Sequence, residues 1–128
     1  MNSDFFRGRL LSFKYAWNGV CDLIKKEKNT RIHLFFTILV IIFGFLLKIA
    51  QWEWCILVMT IAAVWSAEAM NTALERNVDL VTLEKRPLAK EAKDLAAGAV
   101  LIFAIMSVIV GLIIFLPKLL LVLSTIFH

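Results

Sequence analysis

Charge is scarce in this chain, and so are the residues that shape most small soluble or secreted folds. Of its 128 residues only 19% are charged while 61% are hydrophobic, where a soluble domain carries about 25% charged and about 45–50% apolar residues. This argues against an ordinary water-soluble globule. Five glycines, two prolines and two cysteines are too few for a collagen-like repeat, a low-complexity tract or a disulfide scaffold. Neither G-x-x-x-x-G-K-[ST] nor G-x-G-x-x-G occurs, so any phosphate cradle must be built differently. His33, His128, Cys21 and Cys55 have no ligand spacing, and zinc is not expected. The first 30 residues are studded with charge and hold no uninterrupted apolar stretch of the length a signal peptide needs, so no cleavable leader is expected. One membrane domain covering 1–128 is the reading that remains.

What the chain does have is long apolar runs. The run from Ile32 to Leu47 is interrupted only by His33 and Thr37. A second starts at Trp54 and continues to Ala67, where Glu68 stops it. The third, Leu95 to Leu116, carries no charge and meets the requirement of about 20 apolar residues for crossing a bilayer. Unpaired backbone groups are too costly in lipid for isolated strands, and the runs are too long for barrel strands, so the spans are helices. The expected fold is all-α, with membrane spans at 32–50, 54–80 and 95–116, the second extending beyond the membrane surface. The apolar stretch Leu119 to Phe127 is too short to span, and either lies in the outer interface or prolongs the third helix past Pro117.

The cations set the direction. Seven precede the first span (Arg7, Arg9, Lys14, Lys25, Lys26, Lys28, Arg31), five separate the second from the third (Arg76, Lys85, Arg86, Lys90, Lys93), and only Lys48 and Lys118 lie elsewhere. By the positive-inside rule the N-terminus and the 75–94 loop are cytoplasmic. Trp52 and Trp54 then fit the outer aromatic belt. Cys21 and Cys55 fall on opposite sides of the bilayer, which predicts two free thiols.

Residues 5–27 follow another pattern. Phe6, Leu10, Phe13, Trp17, Val20 and Ile24 recur at steps of four and three with charges largely between them, the period of an amphipathic helix. Its basic balance suits the headgroup region, where it would lie flat.

The informative stretch is Glu68 to Asp79. On a helix turning about 100° per residue, positions 68, 71, 72, 75 and 79 share one face, which lines up three carboxylates. Like charges so placed require a divalent cation, basic partners or protonation of one acid. Glu68 directly follows the apolar run, and ionisable groups at such depth are functional candidates. Partial desolvation there suits it to accept a proton from an alcohol. Glu75, two turns on and wetter, suits a Mg²⁺ ligand, an ion that takes one or two carboxylates plus substrate phosphates. Asn71 and Thr72 suit either hydrogen bonding to substrate or helix packing. Glu27, at the same membrane surface, offers a second metal carboxylate. Lys93 and Asp94, at the start of the third span, offer a cation for phosphate and another acid, or simple helix capping. His33 is expected to pack or hydrogen-bond near the interface.

These residues carry a family resemblance. Glu68-x-x-Asn71-Thr72-Ala73-x-Glu75-x-x-x-Asp79, followed by Ala92-Lys93-Asp94-x-Ala96-Ala97-Gly98, strongly resembles the small bacterial integral-membrane lipid kinases, comprising prokaryotic diacylglycerol kinase and undecaprenol kinase, over about Phe13 to Pro117. The resemblance implies a homotrimer of three-span subunits in the bacterial inner membrane, with active sites shared between neighbours on the cytoplasmic side. It implies transfer of the γ-phosphate of Mg-ATP to a lipid hydroxyl, with no nucleic-acid partner. By matching positions, Glu68 corresponds to the catalytic base and Glu27 and Glu75 to the Mg²⁺ pair. Asn71 and Asp79 match polar active-site positions, and Lys93 and Asp94 match positions that bind nucleotide. Tyr15, Glu84, Lys85 and Arg86 fall at further nucleotide-contacting or loop positions. Asn18 stands where the family has lysine, and His33 where it has glutamate. Asn29-Thr30-Arg31-Ile32-His33 is more similar to the undecaprenol kinase branch, which makes undecaprenol the expected acceptor and diacylglycerol the alternative. From a different class, the acidic stripe would also suit a small cation channel or transporter subunit.

Overall fold

A single residue, Glu27, separates α1 (Ser3–Lys26) from α2 (Lys28–Leu46) in the computed structural model, which describes residues 3–126. Glu27 is extended, with φ −98° and ψ 124°, so α1 ends there and α2 restarts in a new direction. Its own N–H still donates to the Leu23 carbonyl, at 3.0 Å. The last carbonyls of a helix lack partners within it, and here a side chain of α2 supplies them: the Arg31 guanidinium donates to the carbonyls of Ile24 and Lys25. At the same end Lys26 hydrogen-bonds Asp22 one turn back, at 2.6 Å, and this holds the Asp22 carboxyl below its ordinary range. Burial in α1 starts only near Cys21 and peaks at Leu23, 6% exposed; Leu10, Phe13 and Trp17 stay uncovered.

α2 closes with a left-handed turn at Lys48, φ 49°, an unusual conformation for a residue with a side chain. The Ile49 N–H donates to the Gly44 carbonyl at 3.1 Å and the Lys48 N–H to Phe45 at 3.2 Å, the bonding of a Schellman-type stop. α3 (Gln51–Val81) follows at once. Gly44 is the close-approach point, because a Cβ there would lie 2.7 Å from the Trp54 ring. Trp54 therefore packs inward on α2, with the Phe45 ring centroid at 4.8 Å, while Trp52 is the exposed one of the pair expected in the aromatic belt.

α4 (Pro87–Ile126) is longer at both ends than its charge-free run. Proline suits the first turn because its φ is preset and its missing N–H would have no helical partner. The helix thus starts a full two turns before Leu95, and Lys93 and Asp94 lie inside it rather than capping it. At the other end α4 continues through Pro117, so the apolar tail prolongs the third helix. Phe127 and His128 lie outside the described residues.

α3 and α4 pack against each other, with α2 on their side. The core is Ile49, Leu57, Ile114 and Phe115, near the short α2–α3 turn. α2, α3 and α4 are each long and apolar enough to cross a membrane, and much of their apolar surface faces outward, as in Phe45, Met59 and Leu101. Cys21 and Cys55 are free thiols.

Candidate active site

The buried positions of α3 are Glu53, Leu57, Val64, Glu68 and Thr72. Steps of four and seven keep them on one helix face, and Asn71, Glu75 and Val78, all half-buried, continue it. Exposure rises along this face from Glu68 through Glu75 to Asp79. At about 1.5 Å per residue, Glu75 stands roughly 10 Å and Asp79 roughly 16 Å along the axis from Glu68.

Glu68 is only 3% exposed, and α2 covers it. The Thr30 hydroxyl, itself fully buried, donates to Glu68 Oε1 at 3.4 Å. On the other side His33 Nε2 lies 4.0 Å from Oε2. Burying a carboxylate is costly unless polar groups meet it, and among the described residues Thr30 and His33 are the ones that do. Thr30 carries no charge and so gives no sign in the sequence, although its i, i+3 spacing to His33 puts both on one face of α2.

Farther along α3 the Asn71 side-chain amide donates to Glu75 Oε1 at 3.0 Å, and Asn71 Oδ1 is buried with no hydrogen-bond partner among the described residues. Glu27 reaches α3 one residue beyond Glu75, where it accepts from Arg76 at 3.1 Å. Arg76 is thus a second site neighbour that sequence reasoning missed, because there it counts only toward orientation. Glu27 and Glu75 each hold a separate organic partner, and among the described residues no group of three or more His, Cys, Asp or Glu gathers as a metal site.

The loop end is built of ion pairs. Lys93 of α4 donates to Asp79 of α3 at 2.6 Å, which ties the two helices together where the chain turns. Lys90 donates to Asp94 at 2.8 Å. The Arg86 guanidinium grips one oxygen of Glu84 through Nε and Nη2, at 3.0 and 2.8 Å. A cleft of about 650 Å³ opens here, with Asp79, Glu84, Lys85, Lys90 and Lys93 among its walls. Lys85 makes no ion pair among the described residues, so its charge faces the cleft unneutralised. Tyr15 is 68% exposed on α1 and no hydrogen bond joins it to these groups.

The arrangement therefore grades from a buried carboxylate between α2 and α3, through half-buried carboxylate and amide oxygens, to a wet cleft rich in lysine. Comparison with known proteins identifies the family. The family model of prokaryotic diacylglycerol kinase matches residues 14–115. The chain is 46% identical over 108 residues to the undecaprenol kinase of Bacillus subtilis, covering 84% of this chain and 88% of that one. It is also 46% identical over 112 residues to a diacylglycerol kinase of Synechocystis, covering 87% of this chain and 64% of that protein. A diacylglycerol kinase of Pseudomonas aeruginosa is 29% identical over 85 residues, 66% of this chain and 69% of that one. On the match over most of its length, the chain belongs to the prokaryotic diacylglycerol kinase family and is a membrane lipid kinase.

Proposed function

We propose that this lipid kinase phosphorylates undecaprenol, taking the γ-phosphate of ATP at the cytoplasmic face of the bacterial inner membrane. The single observation that carries the reading is the buried Glu68 carboxylate on the same α3 face as Glu75 and Asp79. A lipid alcohol brings its hydroxyl to the membrane edge and leaves its tail in lipid, whereas ATP arrives from water. One helix that passes from buried to exposed acids within about 16 Å serves both.

Phosphoryl transfer needs chiefly alignment and charge neutralisation. Glu68 takes the hydroxyl proton as the lipid oxygen attacks phosphorus, and Thr30 orients its carboxylate. Lys85 and Lys93 attract the phosphates in the loop cleft, with Asp79 holding Lys93 in place. Asp94, Glu84, Arg86 and Tyr15 complete the nucleotide side. The carboxylate oxygens of Glu75, which Asn71 contacts, and of Glu27 are of the hard type that Mg²⁺ prefers. These residues would hold Mg²⁺, which when bound neutralises phosphate charge. Tyr15 is 68% exposed and hydrogen-bonds none of the acids described above, and α1 leaves Leu10, Phe13 and Trp17 uncovered. Both fit a homotrimer whose sites are completed by neighbours, with α1 amphipathic and lying in the headgroup region.

The undecaprenol assignment is favoured by the relative of that name, which this chain covers almost end to end. Diacylglycerol is the second reading, supported by the Synechocystis relative of equal identity. The test is purified protein in lipid vesicles given labelled ATP and Mg²⁺ with each lipid in turn. Label is expected in undecaprenol before diacylglycerol. Glu68→Gln is expected to lower the rate by roughly 10²- to 10⁴-fold, the usual worth of a general base, and full activity in that variant would remove Glu68 from the role. Ion flux with no labelled lipid would favour the transporter reading instead.

A further inference from the structure

The proposed reaction leaves one proton behind. The lipid O–H bond breaks as its oxygen bonds to the γ-phosphorus, and the bond from that phosphorus to the bridging oxygen breaks with its electron pair on ADP. The proton stays on Glu68, which is 3% exposed. It must leave before the next turnover, and the surroundings of the carboxylate restrict the route. Thr30, on Oε1, is fully buried, and its hydroxyl is not a base at neutral pH. His33 faces Oε2 at 4.0 Å, and its side chain is 21% exposed against 4% for that of Glu68. That separation is wider than a direct hydrogen bond by about 1 Å, a gap that a small swing of the ring closes.

We propose that His33 accepts the proton from Glu68 and passes it to water, so that a buried base is reset through a more exposed one. The inference rests on the kinase reading above and adds a residue to it. Imidazole binds and releases protons near neutral pH, unlike the other groups in reach. The charged groups nearest in sequence or on packed elements hold other partners; on α2 itself the Arg31 guanidinium is turned to the Ile24 and Lys25 carbonyls. On the α1–α2 junction, Glu27 is held by Arg76; on α3, Glu75 is held by Asn71. On α4 the cleft beside His33 is walled by Ala104, Ser107, Val108 and Gly111, none of which titrates. Among the described residues Glu68 is thus the one acid that His33 meets.

The experiment uses the full chain in phosphatidylcholine vesicles carrying undecaprenol, with kcat and KM measured from pH 5 to 9. In the wild type kcat is expected to fall toward the acid end of that range, because a histidine already protonated cannot accept a proton. His33→Gln is expected to lower kcat on the order of tenfold or more, leave KM for the lipid near the wild-type value and abolish that acid limb. Adding free imidazole to His33→Ala is expected to restore rate in proportion to its neutral form. An unchanged kcat and pH profile in His33→Gln overturns the proposal. So does a lowered kcat that keeps the acid limb and gains nothing from imidazole, since that marks a purely steric role. A wild-type chain that labels neither lipid overturns the kinase reading and this one together, whereas an active wild type confines any failure to the role of His33.

Discussion

Lys118 of α4 lies 3.0 Å from Glu53 of α3, joining the two helices at the start of α3. The same Glu53 carboxylate accepts the backbone N–H of Ala50 and so caps the start of α3. Glu53 is 7% exposed, so its charge depends on these two donors. The pair exists because α4 carries on through Pro117 and places Lys118 one residue beyond it.

The Lys118–Glu53 pair yields a stability prediction. Lys118→Met is expected to lower the unfolding temperature, since it leaves the Glu53 carboxylate, 7% exposed, short of a donor. Glu53→Gln combined with Lys118→Met is expected to recover part of the loss, because the unpaired charge is gone. Thermal unfolding in detergent checks both, and additive losses in the double variant would show that the two side chains do not interact.

Gly44 makes a second prediction. A methyl group there would meet Trp54 at 2.7 and 2.9 Å and Ile49 at 3.3 Å, inside the distances that packed atoms adopt. Gly44→Ala is expected to cost about 1–3 kcal/mol by overpacking and to shift the tryptophan emission as the Trp54 ring moves. Unchanged emission and unfolding temperature would mean that the ring does not seat on Gly44.

The third prediction concerns Mg²⁺. Glu75→Gln is expected to raise the Mg²⁺ concentration for half-maximal lipid phosphorylation on the order of tenfold, as loss of a metal-site carboxylate does. Arg76→Met, which releases Glu27 from its 3.1 Å ion pair, is expected to lower that concentration. A Mg²⁺ titration of lipid labelling reads both, and an upward shift in Arg76→Met would mean that the Glu27–Arg76 pair organises the site rather than competing for Glu27.

The spans are legible in the sequence because the cost of polar groups in lipid leaves a coarse signature: long apolar runs such as Leu95 to Leu116 admit little but helix. The alignment of 68, 71, 72, 75 and 79 is legible for a similarly local reason, since helical rotation alone decides which residues share a face. Helix ends are less so. α4 begins at Pro87 and not near Lys93, because residues 87–94 are good helix formers that continue the helix in water, where hydropathy gives no mark. Trp54 reads as an interfacial anchor beside Trp52, but a gap left by Gly44 on another helix turns it inward.

Taken alone, the order of residues determined an all-helical membrane chain, its three apolar helices and the row of acids on the second, since each follows from solvent and from rotation within one element. Only the tertiary structure decided who meets whom across elements: Thr30 and His33 on Glu68, Arg76 on Glu27, Lys93 on Asp79 and Lys118 on Glu53. Those contacts join residues 14 to 65 positions apart, and their geometry depends on how whole helices pack, a quantity that no local period encodes.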